Sequence, residues 1–175
     1  MRKTKENIIA VLTGITFVLS ACQEKQVFKP EYHISFDDIS GFSNDPTITN
    51  NTVSHSGLNC VKINQDLIYG ATFSKRLGSI SATPITKVKM KAWVRLSSSD
   101  GHVKLVCSVE TDSSKSLFWN ALDSKTFSLK NGEWGEISGE FDISAHNAPG
   151  NIIKIYPVYQ TGEFILIDDL ELVFE

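Results

Sequence analysis

From residue 31 onward, apolar and polar residues alternate with a period of two, the pattern of strands with one buried face. The clearest run places Val88, Met90, Ala92, Val94 and Leu96 on one side and Lys87, Lys89, Lys91, Trp93 and Arg95 on the other. Val103, Leu105, Cys107 and Val109 repeat the inward set, with Lys104, Val106, Ser108 and Glu110 outward. Further strands are predicted over residues 32–36, 47–54, 58–63, 67–73, 116–122, 134–143, 152–160 and 164–174. Turn-rich stretches separate them at residues 38–46, 79–84, 97–101 and 145–150, at Ser56-Gly57 and at Asn131-Gly132, the last read as a hairpin-like turn. No window of helical length after Cys22 carries a 3.6-residue period. Strands spaced by roughly ten residues with turns between them predict an all-β chain, an antiparallel β-sandwich.

The first residues follow a different rule. Arg2, Lys3 and Lys5 precede an apolar run over residues 8–19, which is short for a membrane span. A basic start, an apolar middle and small residues at the end describe an export signal over residues 1–21. The stretch Leu19-Ser20-Ala21-Cys22 sharpens this, because it resembles the lipobox of bacterial lipoproteins. The resemblance implies cleavage before Cys22 and acylation of that cysteine; several acyl chains on one residue give stable membrane attachment. Residues 22–30 read as a polar tether and residues 31–175 as one domain. No Asp follows Cys22, so by the same resemblance the expected place is the cell envelope, at the outer membrane or cell surface.

Charge and cysteines narrow the classes. The full chain has a formal charge of −3, and removing a basic leader leaves a more acidic domain, without the footprint of a nucleic-acid binder. Cys60 and Cys107 remain; export permits a disulfide between them. Both also lie in apolar runs, where buried thiols are common, and that reading is favoured.

Three stretches together resemble the galactose-binding-like jelly roll of carbohydrate-binding modules, especially the group of families 4, 9 and 22. They are Phe36-Asp37-Asp38 with Gly41-Phe42, the run from Gly132 and Trp134 to Phe141, and Ile167-Asp168-Asp169-Leu170. Phe42 stands where the family usually has Trp, Asp37 where Glu is commoner, and Leu170 where Val or Ile is usual. The resemblance implies a jelly roll and, in many relatives, a structural calcium between the first and last strands. Asp37 and Asp168 are then its carboxylates, with carbonyls near Ser56 and Gly57 completing a set of oxygen ligands. Without a metal, each Asp would cap a turn or face water.

A sugar-binding surface needs an exposed aromatic ring against the pyranose, with polar groups around it. Trp93 lies in the polar phase of its strand, and Tyr156 is out of phase with Ile153 and Ile155. By resemblance their strands are neighbours on the binding sheet, which brings Arg95, Lys104 and Lys154 beside them to hold an anionic or a neutral sugar. The alternative is a Trp93 ring covered by a loop or by a second sheet, and lysines that only face solvent. Trp119 and Tyr69 are loop-side candidates, and Trp134 reads as structural.

Catalytic patterns are missing. His33, His55, His102 and His146 have no metal-ligand spacing, and no Gly-x-Ser-x-Gly elbow occurs. Asp168 and Asp169 would face opposite sides of a strand unless a bulge intervened. The expectation is a non-catalytic, lipid-anchored carbohydrate binder. The alternatives are a structural or adhesion lipoprotein with a protein partner, and an accessory domain in polysaccharide degradation.

Overall fold

Strong alternation becomes strand. In the computed structural model, which describes residues 29–37, 47–50 and 53–175, the strands are β1 (Glu31–Ile34), β2 (Ile48–Asn50), β3 (Asn59–Ile63), β4 (Phe73–Arg76) and β5 (Lys87–Leu96), followed by β6 (His102–Glu110), β7 (Ser116–Asp123), β8 (Trp134–Asp142), β9 (Ile152–Thr161) and β10 (Ile165–Phe174). The leader, Cys22 and most of the tether lie outside the described residues, as do Asp38 and the loop to Pro46 with Gly41-Phe42. Lys29 and Pro30, assigned to the tether, already dock: Phe174 N–H donates to the Pro30 carbonyl and Lys29 pairs with Glu175 at 2.8 Å.

Two antiparallel sheets form the jelly-roll sandwich. One runs β2-β3-β10-β5-β8, with β1 also on β10; the other runs β4-β9-β6-β7. β10 is the hub. β5 flanks its full length, while β3 pairs with Ile165–Ile167 and β1 with the stretch from Leu170 to Val173 on the opposite side. The inward sets of both sheets meet between them: Val88, Met90, Ala92 and Val94 of β5 and Val103, Leu105, Cys107 and Val109 of β6 are at most 2 % exposed. Each such aliphatic side chain contributes roughly 1.5–3 kcal/mol by leaving water.

Three expectations change. The strand over residues 67–73 is displaced: Tyr69 makes an isolated bridge to Val158, and regular pairing begins only at Phe73. Its partner here is Pro157, which lacks the N–H a ladder needs, and Gly70 lies so close that a Cβ would sit 2.5 Å from the proline ring. Asn131-Gly132 does turn the chain, but β7 and β8 belong to different sheets, so it closes no hairpin. Residues Leu77–Ile80 form one helical turn that buries Leu77 and Ile80, too short to show a period in sequence. Cys60 and Cys107 are both free and buried, as favoured. Burial in apolar surroundings pushes their thiols up to about 11 and about 12.

Candidate functional site

The structure parts the sequence-predicted binding residues. Trp93 and Arg95 belong to β5, in the six-stranded sheet; Tyr156 and Lys154 belong to β9, Lys104 to β6 and Trp119 to β7, all in the four-stranded sheet. The expected pairing of Trp93 with Tyr156 is therefore corrected. Both point outward, but from opposite outer faces of the sandwich. Alternation tells which way a side chain faces its own strand, not which sheet the strand joins.

On the six-stranded sheet the outer face is roofed at its Trp93 end. The imidazole of His55 stacks on Trp93, with centroids 4.0 Å apart and planes 14° apart, and meets the Trp134 ring edge-on at 5.7 Å. Trp134 Nε1 donates to the Val53 carbonyl at 2.9 Å, so that ring is structural as expected. Arg95 is committed to the turn, donating to the Gly132 carbonyl at 2.8 Å. Beneath this roof Cys60, Leu166 and Asp168 face outward yet are 0 % exposed. Trp93 keeps one border on a shallow depression shared with His33, Ser35, Asp169 and Glu171.

A bulge makes the roof hold. Between Asp168, opposite Trp93, and Glu171, opposite Lys91, β10 carries one residue more than β5, and Asp169 takes the left-handed φ of 46°. The adjacent carboxylates consequently grip the same segment instead of facing apart. His55 N–H and Ser56 N–H donate to Asp168 Oδ2 at 2.9 and 3.2 Å. His55 Nδ1 lies 2.6 Å from Asp169 Oδ2, and the Ser56 hydroxyl donates to Asp169 Oδ1 at 2.7 Å. Asp37, placed after Phe36 at φ 62°, accepts from Leu58 N–H and Asn59 N–H at 2.7 and 2.9 Å. Burial pushes the Asp168 carboxyl up to about 6, against the backbone donors of Asp169, Ser56 and His55 that favour its charge. Serine, histidine and aspartate thus meet here, but the Ser56 hydroxyl bonds the carboxylate and not the imidazole. A nucleophilic relay needs the hydroxyl on the histidine, so this cluster is a clasp. Among the described residues, no group of three or more His, Cys, Asp or Glu side chains gathers to hold a metal.

The four-stranded sheet presents a different outer face. Register aligns Val158, Lys104 and Asp123 in one row, Tyr156, Val106 and Ala121 in the next, and Lys154, Ser108 and Trp119 in a third. Val106, 0 % exposed, and Ser108, 9 % exposed, form a floor between larger neighbours. Tyr69, opposite Val158, stands 66 % exposed, and Trp119 stands 54 % exposed. The Tyr69 and Tyr156 rings lie 6.2 Å apart and tilted, and Lys104 Nζ sits 6.0 Å over the Trp119 ring. Three strand spacings across and four residues along put Tyr69 and Trp119 about 20 Å apart on a diagonal. Both lysines are matched: Lys154 to Glu110 at 2.5 Å and Lys104 to Asp123 at 3.8 Å, with His102 Nε2 also 2.8 Å from Asp123. Asp123 lies opposite Lys104, six residues along β6 from Glu110, which separates the two carboxylates by roughly 20 Å. Glycoside hydrolysis works with carboxyl pairs about 5–9.5 Å apart, so this pair is not arranged for it. Five of the seven sequence candidates for ligand contact, Tyr69, Tyr156, Trp119, Lys104 and Lys154, share this face.

No protein-family model matches the chain, and no curated protein matches it by sequence. Solved structures do resemble it. The second family 22 carbohydrate-binding module of Paenibacillus barcinonensis Xyn10C, a xylan-binding domain, superposes with a TM-score of 0.58 at 10 % identity, over 83 % of this chain and 98 % of that one. The C-terminal family 22 module of Clostridium thermocellum Xyn10B gives 0.56 at 9 % identity, over 82 % and 91 %. A longer Clostridium thermocellum chain, holding the N-terminal module and the family 10 glycoside hydrolase module with xylohexaose, gives 0.52 at 15 % identity; this chain covers 84 % of itself there and 26 % of that chain.

Proposed function

We propose, from a fold shared with carbohydrate-binding modules, that this chain is a non-catalytic glycan binder whose site is the outer face of the four-stranded sheet. One observation carries the proposal: Tyr69 and Trp119 stand exposed at opposite corners of that face, with Tyr156 between them over the buried floor of Val106. Exposed rings stack on sugar faces, and the ion pairs Lys104–Asp123 and Lys154–Glu110, at the two ends of the face, offer both donors and acceptors to hydroxyls. The diagonal of about 20 Å suits a stretch of several sugar units, not a single one. Because each lysine of the face has an acidic partner, a neutral polysaccharide fits better than an anionic one. The xylan-binding character of the solved neighbours makes xylan the first polymer to try.

The chain is placed, in the same proposal, at the cell envelope through acylated Cys22, where it would hold polysaccharide near the surface. Incorporation of labelled palmitate that Cys22→Ala abolishes tests the anchor. Affinity electrophoresis and calorimetry against neutral and anionic polysaccharides test the site. Binding that weakens in Trp119→Ala and Tyr69→Ala but persists in Trp93→Ala supports it. Binding lost in Trp93→Ala and kept in the other two moves the site to the opposite sheet. Folded protein that binds no glycan overturns the proposal in favour of a protein partner for the same rings.

A further inference from the structure

Asp37 and Asp168 are the positions where the family resemblance implies calcium, and here their surroundings have the wrong polarity for it. Calcium takes about six to eight oxygen ligands at about 2.3–2.6 Å. Asp168 instead accepts from the N–H groups of His55, Ser56 and Asp169 at 2.9, 3.2 and 2.8 Å. Asp37 Oδ1 accepts from those of Leu58 and Asn59. Asp169, next in the chain, is met by the His55 imidazole and the Ser56 hydroxyl. These are the positive ends of dipoles, which a cation repels. Near Ser56 and Gly57 the chain turns N–H groups toward the carboxylates, and the Gly57 carbonyl accepts from the Ser54 hydroxyl at 3.0 Å. Gly57 itself makes room: at φ 57° a Cβ would sit 1.6 Å from Asp37 Oδ2.

We infer that this chain ties its first and last strands together without a divalent cation, the His55–Asn59 segment occupying with amides and an imidazole the role a metal would fill. A bound metal links two carboxylates by its charge. β1 and β10 already pair along the sheet; beyond the end of β1, Asp37 is bridged to the β10 bulge by the loop that both hold.

The test is a thermal melt of the protein in chelator and in saturating calcium, alongside a terbium titration. Trp93 and Trp134, both against His55, would sensitise terbium emission if the ion sat at the clasp. The expected result is superimposable melts and no saturable emission that calcium displaces. A melting temperature that climbs with calcium concentration, as binding to the native state demands, overturns the inference if Asp37→Asn abolishes the climb. So does saturable terbium emission lost in Asp37→Asn or Asp168→Asn. Emission that survives both substitutions places the ion elsewhere and leaves the inference standing.

Discussion

The outer faces of the two sheets start from the same pattern, aromatic rings interleaved with lysines, and reach opposite ends. On β5, Trp93 is half-covered by His55, and Lys87, Lys89 and Lys91 pair with Glu140, Glu175 and Glu171. Across the sandwich, Tyr69 and Trp119 remain open to water. The lysines do not make the difference, since both faces pair theirs. What differs is whether a neighbouring segment has a grip on the sheet beneath it. The β10 bulge supplies that grip on one side, where two carboxylates reach up to hold residues 55 and 56. Nothing comparable rises from β6 or β9 among the described residues. An outward ring is therefore available only where the sheet has no handle for a loop.

The comparison breaks most directly at the handle. Asp168→Ala removes a buried carboxylate that accepts from two part-buried loop N–H groups, and each unsatisfied donor costs about 1–3 kcal/mol. The urea midpoint should fall by an amount matching about 3 kcal/mol or more at constant m-value; an unmoved midpoint would show that the roof does not depend on the bulge. Gly57→Ala comes next, costing about 1–2 kcal/mol for its left-handed φ and more for its collision with Asp37. In an Asp37→Ala background the added cost of Gly57→Ala should shrink, which a double-mutant cycle reads directly. On the open face, Trp119→Ala should weaken glycan binding about tenfold, roughly 1.4 kcal/mol, with the melting temperature unchanged. Trp93→Ala should do the reverse, lowering the melting temperature and leaving affinity alone. Cys60 lies under the roof and Cys107 in the core, with thiols raised to about 11 and about 12. Neither should react with a thiol reagent in the native protein, and both should react once it unfolds; early release of Cys60 alone would show the roof opening by itself. The smallest effect is at Glu175, which hydrogen bonds from Lys29 and Lys89 pull down to about 2 from 4.5. A folded value below the unfolded one means its contribution is present above about 4.5 and is lost as pH falls through about 2. Carboxyl titration by NMR should find that low midpoint, and Lys89→Ala should raise it with little change in stability, the pair being exposed.

Periodicity carried most of the fold. β5, β6, β9 and β10 lie where their alternation placed them, because a half-buried strand repeats every two residues. Sheet membership was not legible, since it depends on pairings between residues far apart in the chain. Trp93 and Tyr156, alike in phase, therefore end on different sheets. The bulge, by contrast, left a trace. Ile165 and Ile167 face inward on odd positions, whereas Leu170, Leu172 and Phe174 do so on even ones. That change of parity across Asp168-Asp169 requires one extra residue. Apolar Leu166 and Cys60 at outward positions were a second trace, marking a face that something covers. The partner of that face, His55-Ser56-Gly57, looked like an ordinary turn, and no local pattern announces which distant carboxylates a turn will meet.

The position of β10 has a consequence for the order of events in making this molecule. β1, β3 and β5 all reach their final neighbour only through residues 165–174. On a ribosome the chain appears N-terminus first, so these three strands wait with their inner edges unpaired until residues 165–174 are made. Half of the six-stranded sheet, and the loop that Asp168 and Asp169 fasten, must assemble in one late step. Such a polypeptide stays open along that seam until its last strand arrives.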